Sequence, residues 1–360
     1  MLATAITVSA ALGAGYAGVH YYLRPRESVD SSNDGAWHNG GDGQTPENAH
    51  ASRLLSDLQR SIHTAPMRQQ LAVARQLVDE GIAGTPSYDE LGVTVQPVAG
   101  EAFDALWVTA ESSRPQARLL YLHGGAFALG SATSHRLLIA TLAKQAGVAV
   151  LAVNYRLMPE HKRTDGIVDC QKAYLWMLEN GPNGVSPATH AFVGGDSAGG
   201  NLSLMLIAWL RDNGHRQVDR AVAICPNTDA TGVSPSLVDN RATDQMLGRG
   251  FVGRFVKLPP TLARATIFAV TRLRPDDPLL SPVFGNLADL PPTLIQASDT
   301  EMLLDDARRW FTKAKRQGTD ARLELYGGMM HVWHMFAHVL PEGVVATDRI
   351  AAFIAEAIDD

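Results

Sequence analysis

Apolar positions along the chain fall into two alternating patterns. Short runs at Gly92–Val98, Ala105–Thr109, Arg118–Leu122, Val148–Val153, His190–Val193, Arg220–Ile224, Pro292–Ala297 and Arg322–Tyr326 have the length of strands. Between them lie stretches with helical spacing, such as Leu202, Leu204, Met205, Leu206 and Leu210 after Asn201. This alternation predicts a mainly parallel sheet covered by helices on both faces. The interval from Ile224 to Pro292 is too long for one crossover, so an inserted helical piece is expected at about residues 232–274. Ahead of the first strand, Leu54, Leu55, Leu58 and Ile62 share one helical face, and Met67, Leu71, Ala74 and Val78 another. These two helices fill residues 48–91.

The first residues differ in kind. Leu2 to Leu23 carry no Asp, Glu, Lys or Arg, and at about 1.5 Å per residue a helix of that length crosses a bilayer. Small residues at Ala11, Ala14, Gly15 and Gly18 suit helix packing. Arg24 and Arg26 follow, and no basic region precedes, so residues 1–26 are expected as an N-terminal membrane helix that keeps the remainder on the cytoplasmic side. A cleaved secretory signal is the alternative. Residues 27–47 are polar and glycine-rich, which predicts a flexible linker.

A hydrophobic content of 46% over 360 residues is enough for one large core, residues 92–360, with a smaller cap. The net charge of −6 argues against a nucleic-acid partner, which demands a basic face. Of the two cysteines, Cys170 lies in a helical pattern with Tyr174 and Trp176, and Cys225 ends an apolar strand. Two buried thiols are therefore expected, with no disulfide. No metal-ligand spacing and no cofactor motif is present in the sequence.

The chemistry centres on Val193-Gly194-Gly195-Asp196-Ser197-Ala198-Gly199-Gly200, where a serine sits between glycines as a strand turns into a helix. Gly-x-Ser-x-Gly alone is weak evidence in a chain with 32 glycines, so its partners decide. A nucleophilic serine needs a base, an acid that orients the base, and donors for the oxyanion. The strand Leu119–Leu122 runs into His123-Gly124-Gly125, whose backbone N–H groups, with that of Ala198, are the expected oxyanion donors. His123 is expected to brace that loop. Among the late histidines, His331 follows Gly327 and Gly328 on a loop at the C-terminal end of a strand, where chemistry collects in parallel sheets. His334 and His338 read as packed or solvated. Asp299 and Glu301 both stand where a strand ends, and chemistry alone does not rank them as the acid; Asp305 and Asp306, a turn later, read as helix caps.

Taken together these motifs resemble the hormone-sensitive-lipase family of α/β-hydrolases, the bacterial short-chain carboxylesterases. The likeness rests on His123-Gly124-Gly125, Asn154-Tyr155-Arg156-Leu157-Met158-Pro159-Glu160-His161, the turn at Ser197, Asp277-Pro278-Leu279-Leu280-Ser281-Pro282 and Leu290-Pro291-Pro292-Thr293. It implies an α/β-hydrolase fold with a helical cap and hydrolysis of short- to medium-chain acyl esters. By the family's acidic-pair spacing it ranks Glu301 as the triad acid, Asp299 being the alternative. The chain departs from the pattern at Lys162-Arg163-Thr164-Asp165, where relatives carry an aromatic residue and proline, and at Asn227-Thr228-Asp229. An amidase or deacetylase acting on a lipophilic amide, or a non-catalytic small-molecule binder on the same scaffold, are the competing readings. The expected partner is a small-molecule ester, with membrane contact through residues 2–23.

Overall fold

The computed structural model describes residues 16–98 and 103–359. Its strands are β1 (Trp37–His38), β2 (Thr94–Pro97), β3 (Asp104–Thr109), β4 (Arg114–Leu122), β5 (Val148–Asn154), the hairpin β6 (Asn180–Gly181) and β7 (Gly184–Val185), β8 (His190–Asp196), β9 (Arg220–Ile224), β10 (Thr293–Ser298) and β11 (Ala321–Tyr326). The helices are α1 (residues 16–23), α2 (Pro46–Thr64), α3 (Gln70–Glu80), α4 (Arg136–Gln145), α5 (Arg163–Glu179), α6 (Ala198–Asp212), α7 (Ser236–Asp239), α8 (Phe251–Phe255), α9 (Pro260–Thr271), α10 (Leu304–Arg316) and α11 (Pro341–Asp359). All but β6 and β7 join one sheet in the order β1-β11-β10-β9-β8-β4-β5-β3-β2. Only β3 runs against its neighbours, β5 and β2.

Alternation along β4 explains the layers. Leu120 and Leu122 face the side covered by α5, α6 and α10, packing in one cluster with Tyr174, Leu202, Leu206 and Trp310. Leu119 and Tyr121 face the other side, with Leu138 and Ile139 of α4 and Phe353 and Ile354 of α11. Each fully buried leucine contributes about 1.5–3 kcal/mol. Both faces are thus dry, and the polar machinery gathers at the strand ends.

The stretch read as a flexible linker, residues 27–47, is instead docked along the domain. Its β1 pairs in parallel with β11, setting Trp37 opposite Glu324, and Asn39 N–H donates to Leu325 O at 3.1 Å. Glycines there permit contact of backbone on backbone: a Cβ on Gly327 would lie 1.6 Å from Gly41 O. Ion pairs Lys313–Glu27 (3.1 Å) and Arg316–Asp30 (3.0 Å) hold the earlier part to α10. Composition suggested mobility because it cannot distinguish glycine that confers freedom from glycine that permits close approach.

Helices α2 and α3 precede the core, and α3 is tied to it by Arg75, which donates to Ala128 O at 2.8 Å and Met158 O at 2.9 Å. The connection from β9 to β10 carries α7, α8 and α9 within residues 232–274. The membrane helix expected at Leu2–Leu23 falls mostly on residues outside those described; residues 16–23 are helical. Among the described residues no helix is long and apolar enough to cross a membrane.

Candidate active site

Ser197 stands between β8 and α6 with φ +52° and ψ −113°, a conformation that costs on the order of 1–3 kcal/mol. Its neighbours make the turn possible. A Cβ on Gly199 would lie 1.7 Å from Leu122 O, and one on Gly195 2.3 Å from the same atom. The turn is held by Ser197 N–H donating to Ile224 O at 2.7 Å. The hydroxyl is thereby lifted above the sheet at the first turn of α6, whose unpaired N–H groups favour negative charge.

His331, on the loop after β11, meets this hydroxyl: Nε2 and Ser197 Oγ are 2.9 Å apart. Its Nδ1 lies 2.5 Å from Glu301 Oε2. Because a carboxylate only accepts, the ring proton sits on Nδ1 and Nε2 is left to receive the serine proton. Both side chains are buried, and Glu301 Oε1 is further held by Ser298 N–H at 2.8 Å. Asp299 is not at the histidine; it is exposed to solvent and accepts Gly328 N–H at 2.8 Å. Burial alone would lower the His331 pKa, but the Glu301 hydrogen bond and charge, with the charges of Asp244 and Asp196, raise it above its ordinary value.

One expected oxyanion donor is reassigned. Gly124 N–H donates to the buried carboxylate of Asp196 at 3.0 Å, and a Cβ on Gly124 would lie 2.0 Å from that carboxylate, so this glycine fastens the loop rather than facing a substrate. Asp196 also accepts Tyr121 O–H at 2.6 Å and lies 3.2 Å from His135 Nε2. Burial opposes its ionisation, but His135 and these hydrogen bonds hold its carboxyl down to about 2. The backbone N–H groups of Gly125, Ala126 and Ala198 have no protein acceptor among the described residues. Gly125, Ala126 and Phe127 all adopt positive φ, a run of left-handed backbone that suits an anion-receiving loop. His123 braces the loop as expected: its Nδ1 lies 2.7 Å from Gly124 O, its ring stacks on Tyr155, and burial pulls its pKa down to about 3.

Comparison with known proteins gives the family and the fold. Residues 119–335 match the family described as the alpha/beta hydrolase fold. An acetyl-hydrolase of Streptomyces hygroscopicus is 37% identical over 253 residues, 69% of this chain and 80% of that protein. An esterase of Acinetobacter venetianus is 32% identical over 264 residues, 72% and 82% of the two chains. Among solved structures, an esterase from the bacterial hormone-sensitive lipase family superposes with a TM-score of 0.73 at 31% identity, covering 88% of this chain and 99% of its own. The chain belongs to the hormone-sensitive-lipase family of α/β-hydrolases and is a carboxylic ester hydrolase.

The esterase fixes its acid-bearing loop from the inserted segment, which sequence reasoning missed. Asn240 Nδ2 donates to Asp299 O and Glu301 O, both at 2.9 Å; Thr243 Oγ1 donates to Thr300 O at 2.9 Å; Asp244 Oδ2 accepts Met302 N–H at 2.8 Å. Three side chains within five positions thus grip four consecutive backbone units. No local signal marks them, because the loop they hold lies about sixty residues downstream. Cys225 Sγ, Glu301 and His331 also lie within ligand distance of one another. The carboxylate and imidazole already bond each other, and burial pushes the thiol well above its usual range. That donor set serves the histidine and its acid.

Two departures from the family pattern have structural consequences. Arg163 is buried, with its guanidinium 3.9 Å above the Phe127 ring and donating to Asn201 Oδ1 at 2.8 Å, so it links the oxyanion loop to α6. Asp306 does not cap α10: it accepts Thr228 N–H at 2.8 Å, Asp229 N–H at 2.9 Å and Ser234 O–H at 2.5 Å, tying the segment after β9 to that helix. Asp305 does the same through Ser236 N–H at 2.9 Å. His334 is packed against Gln296 Oε1 at 2.7 Å, and His338 contacts Ala83 O at 3.3 Å.

Proposed function

We propose that the esterase cleaves short- to medium-chain acyl esters with Ser197 as nucleophile, His331 as general base and then acid, and Glu301 as the acid that orients it. The carrying observation is the unbroken chain from Ser197 Oγ to His331 Nε2 (2.9 Å) and from His331 Nδ1 to Glu301 Oε2 (2.5 Å). As Oγ bonds to the ester carbonyl carbon, its proton passes to Nε2, and the carbonyl oxygen becomes an anion received by the N–H groups of Gly125, Ala126 and Ala198. Collapse breaks the bond to the alcohol oxygen, which takes the Nε2 proton and leaves. Water then attacks the acyl-enzyme in the same way, releasing the carboxylic acid and restoring Ser197.

A short acyl group is supported by the acetyl-hydrolase relative and by a related esterase whose crystal was soaked with p-nitrophenyl butyrate. The test is hydrolysis of p-nitrophenyl esters from acetyl to palmitoyl. Turnover is expected to fall with chain length and to vanish in Ser197→Ala. Glu301→Ala is expected to cost far more of kcat/KM than Asp299→Ala; the reverse order would reassign the acid.

The reading further includes attachment to a membrane by residues 2–23, with the catalytic domain on the cytoplasmic side. Its support is the uncharged run and the arginines at positions 24 and 26 that follow it.

A further inference from the structure

Helix α9 has an unusual outer face. Beyond its first residue, Pro260, its exposed positions are Leu262, Thr266, Ala269 and Val270, spaced so that they share one side and carry no charge. Leu262 and Val270 are 50% and 60% exposed. Inward, Thr261 and Arg264 are buried, and Arg264 Nε donates to Thr231 O at 2.9 Å. Helix α1 lies against α9, with His20 Nδ1 2.8 Å from Thr261 Oγ1 and the Tyr22 ring edge-on to Phe268 at 6.1 Å. Its Tyr16, Val19, Tyr21 and Tyr22 are exposed.

The chemistry at the end of this face is that of a headgroup layer. Arg24 lies 4.4 Å over the Tyr21 ring, and Arg24, Arg26 and Arg272 are exposed where α1 and α9 end. Of the nearby carboxylates, Asp276, buried, pairs with Arg274 at 2.9 Å and lies 4.0 Å from Arg26, and Glu27, itself exposed, pairs with Lys313. Arg24 and Arg272 are thus left without an acidic partner among the described residues, on a chain whose net charge is −6. Tyrosines beside arginines, bordering an uncharged apolar surface, match the interface between acyl chains and anionic headgroups.

We infer that the outer face of α9 rests on an anionic lipid bilayer, as a second contact beside the N-terminal segment. The inference depends on the membrane attachment proposed above. The bilayer is favoured as occupant because the uncharged sequence of residues 1–15 continues into α1, which packs on α9, and because Arg24 and Arg272 suit anionic headgroups.

The test uses the full chain with vesicles of phosphatidylcholine and phosphatidylglycerol. Both native cysteines are buried, so a polarity-sensitive dye attaches selectively to Leu262→Cys, Val270→Cys or, as a control outside α1 and α9, the exposed Met67→Cys. The protein is expected to pellet with vesicles. Dye at 262 and 270 is expected to shift blue and to be quenched by quencher-bearing lipid, while dye at 67 stays unchanged. Pelleting with no shift at 262 or 270 would overturn the surface contact while leaving the N-terminal attachment standing; failure to pellet would remove both. Dye already shifted before vesicles are added would mean that residues 1–15 or a second copy covers the face, which also overturns the inference. As a second variant, Leu262→Glu with Val270→Glu is expected to keep activity on a soluble ester and to weaken vesicle binding several-fold.

Discussion

His331 is the point at which the fold concentrates negative charge. Glu301, Asp244 and Asp196 together outweigh the burial that would lower its pKa. A general base must be neutral, so the acid limb of kcat/KM is expected above the ordinary histidine value of about 6.5. Asp244→Asn removes one charge, although its amide NH2 must then face a backbone N–H that the carboxylate accepts, that of Met302 or those of Met246 and Leu247; anions stabilise the imidazolium. The limb is therefore expected to move to lower pH; an unmoved limb would mean that the Asp244 charge does not reach the imidazole. At this scale the sequence was readable where chemistry is local. Ser197 and His331 follow from strand, glycine and turn. The choice between Glu301 and Asp299 depends on which way each side chain leaves the loop after β10. Gly124 was read as a donor because three small residues in a row look equivalent. Which N–H is free depends on the Asp196 carboxylate, placed 72 residues later.

Strands and helices were legible where an element is long enough to carry a period. All eight expected strands form, and the inserted segment contains helices at the expected place. β1 was invisible because two residues carry no period, and its polar, glycine-rich surroundings resemble a linker. Its anchor is Trp37, whose ring meets Tyr326 edge-on at 5.6 Å and lies under the Arg349 guanidinium at 4.0 Å. Trp37→Ala is expected to cost about 1–2 kcal/mol. Limited proteolysis is expected to cut the variant faster within residues 27–45, with kcat/KM on a soluble ester little changed because β1 is the sheet's outermost strand. Cleavage as slow as in the wild type would show that the ion pairs to α10 hold this stretch without the ring.

Across the whole molecule, the groups that prepare the site also set how stability varies with pH. His123 and His334 are pulled down to about 3 by burial. They oppose folding in acid, and that cost disappears as pH rises to the unfolded histidine value of about 6.5. His135 and His331 behave in the opposite sense. Burial lowers both, but Asp196 and Glu301 respectively raise them above the ordinary value. The folded chain therefore binds these protons more tightly; the stabilisation is present below about 6.5 and is lost as pH rises through the folded values. Asp306, raised to about 7 by burial and by the charge of Asp229, slopes the same way, and so do the buried Cys225 and Tyr121, whose folded values lie above the unfolded ones. Asp306 acts mainly below about pH 7, and Cys225 and Tyr121 only above their unfolded values of about 8.5 and about 10; above about pH 6.5 the fall in stability comes from His135 and His331, while loss of the His331 proton is what makes the base competent. Tm is therefore expected to fall between about pH 6.5 and about pH 8.5 as kcat/KM rises, with scanning fluorimetry and ester hydrolysis measured in the same buffers. His135→Gln, which retains a donor for Asp196 but cannot titrate, is expected to flatten the fall in Tm. A Tm that climbs with pH over this interval would mean that His135 and His331 do not hold their protons more tightly in the folded chain.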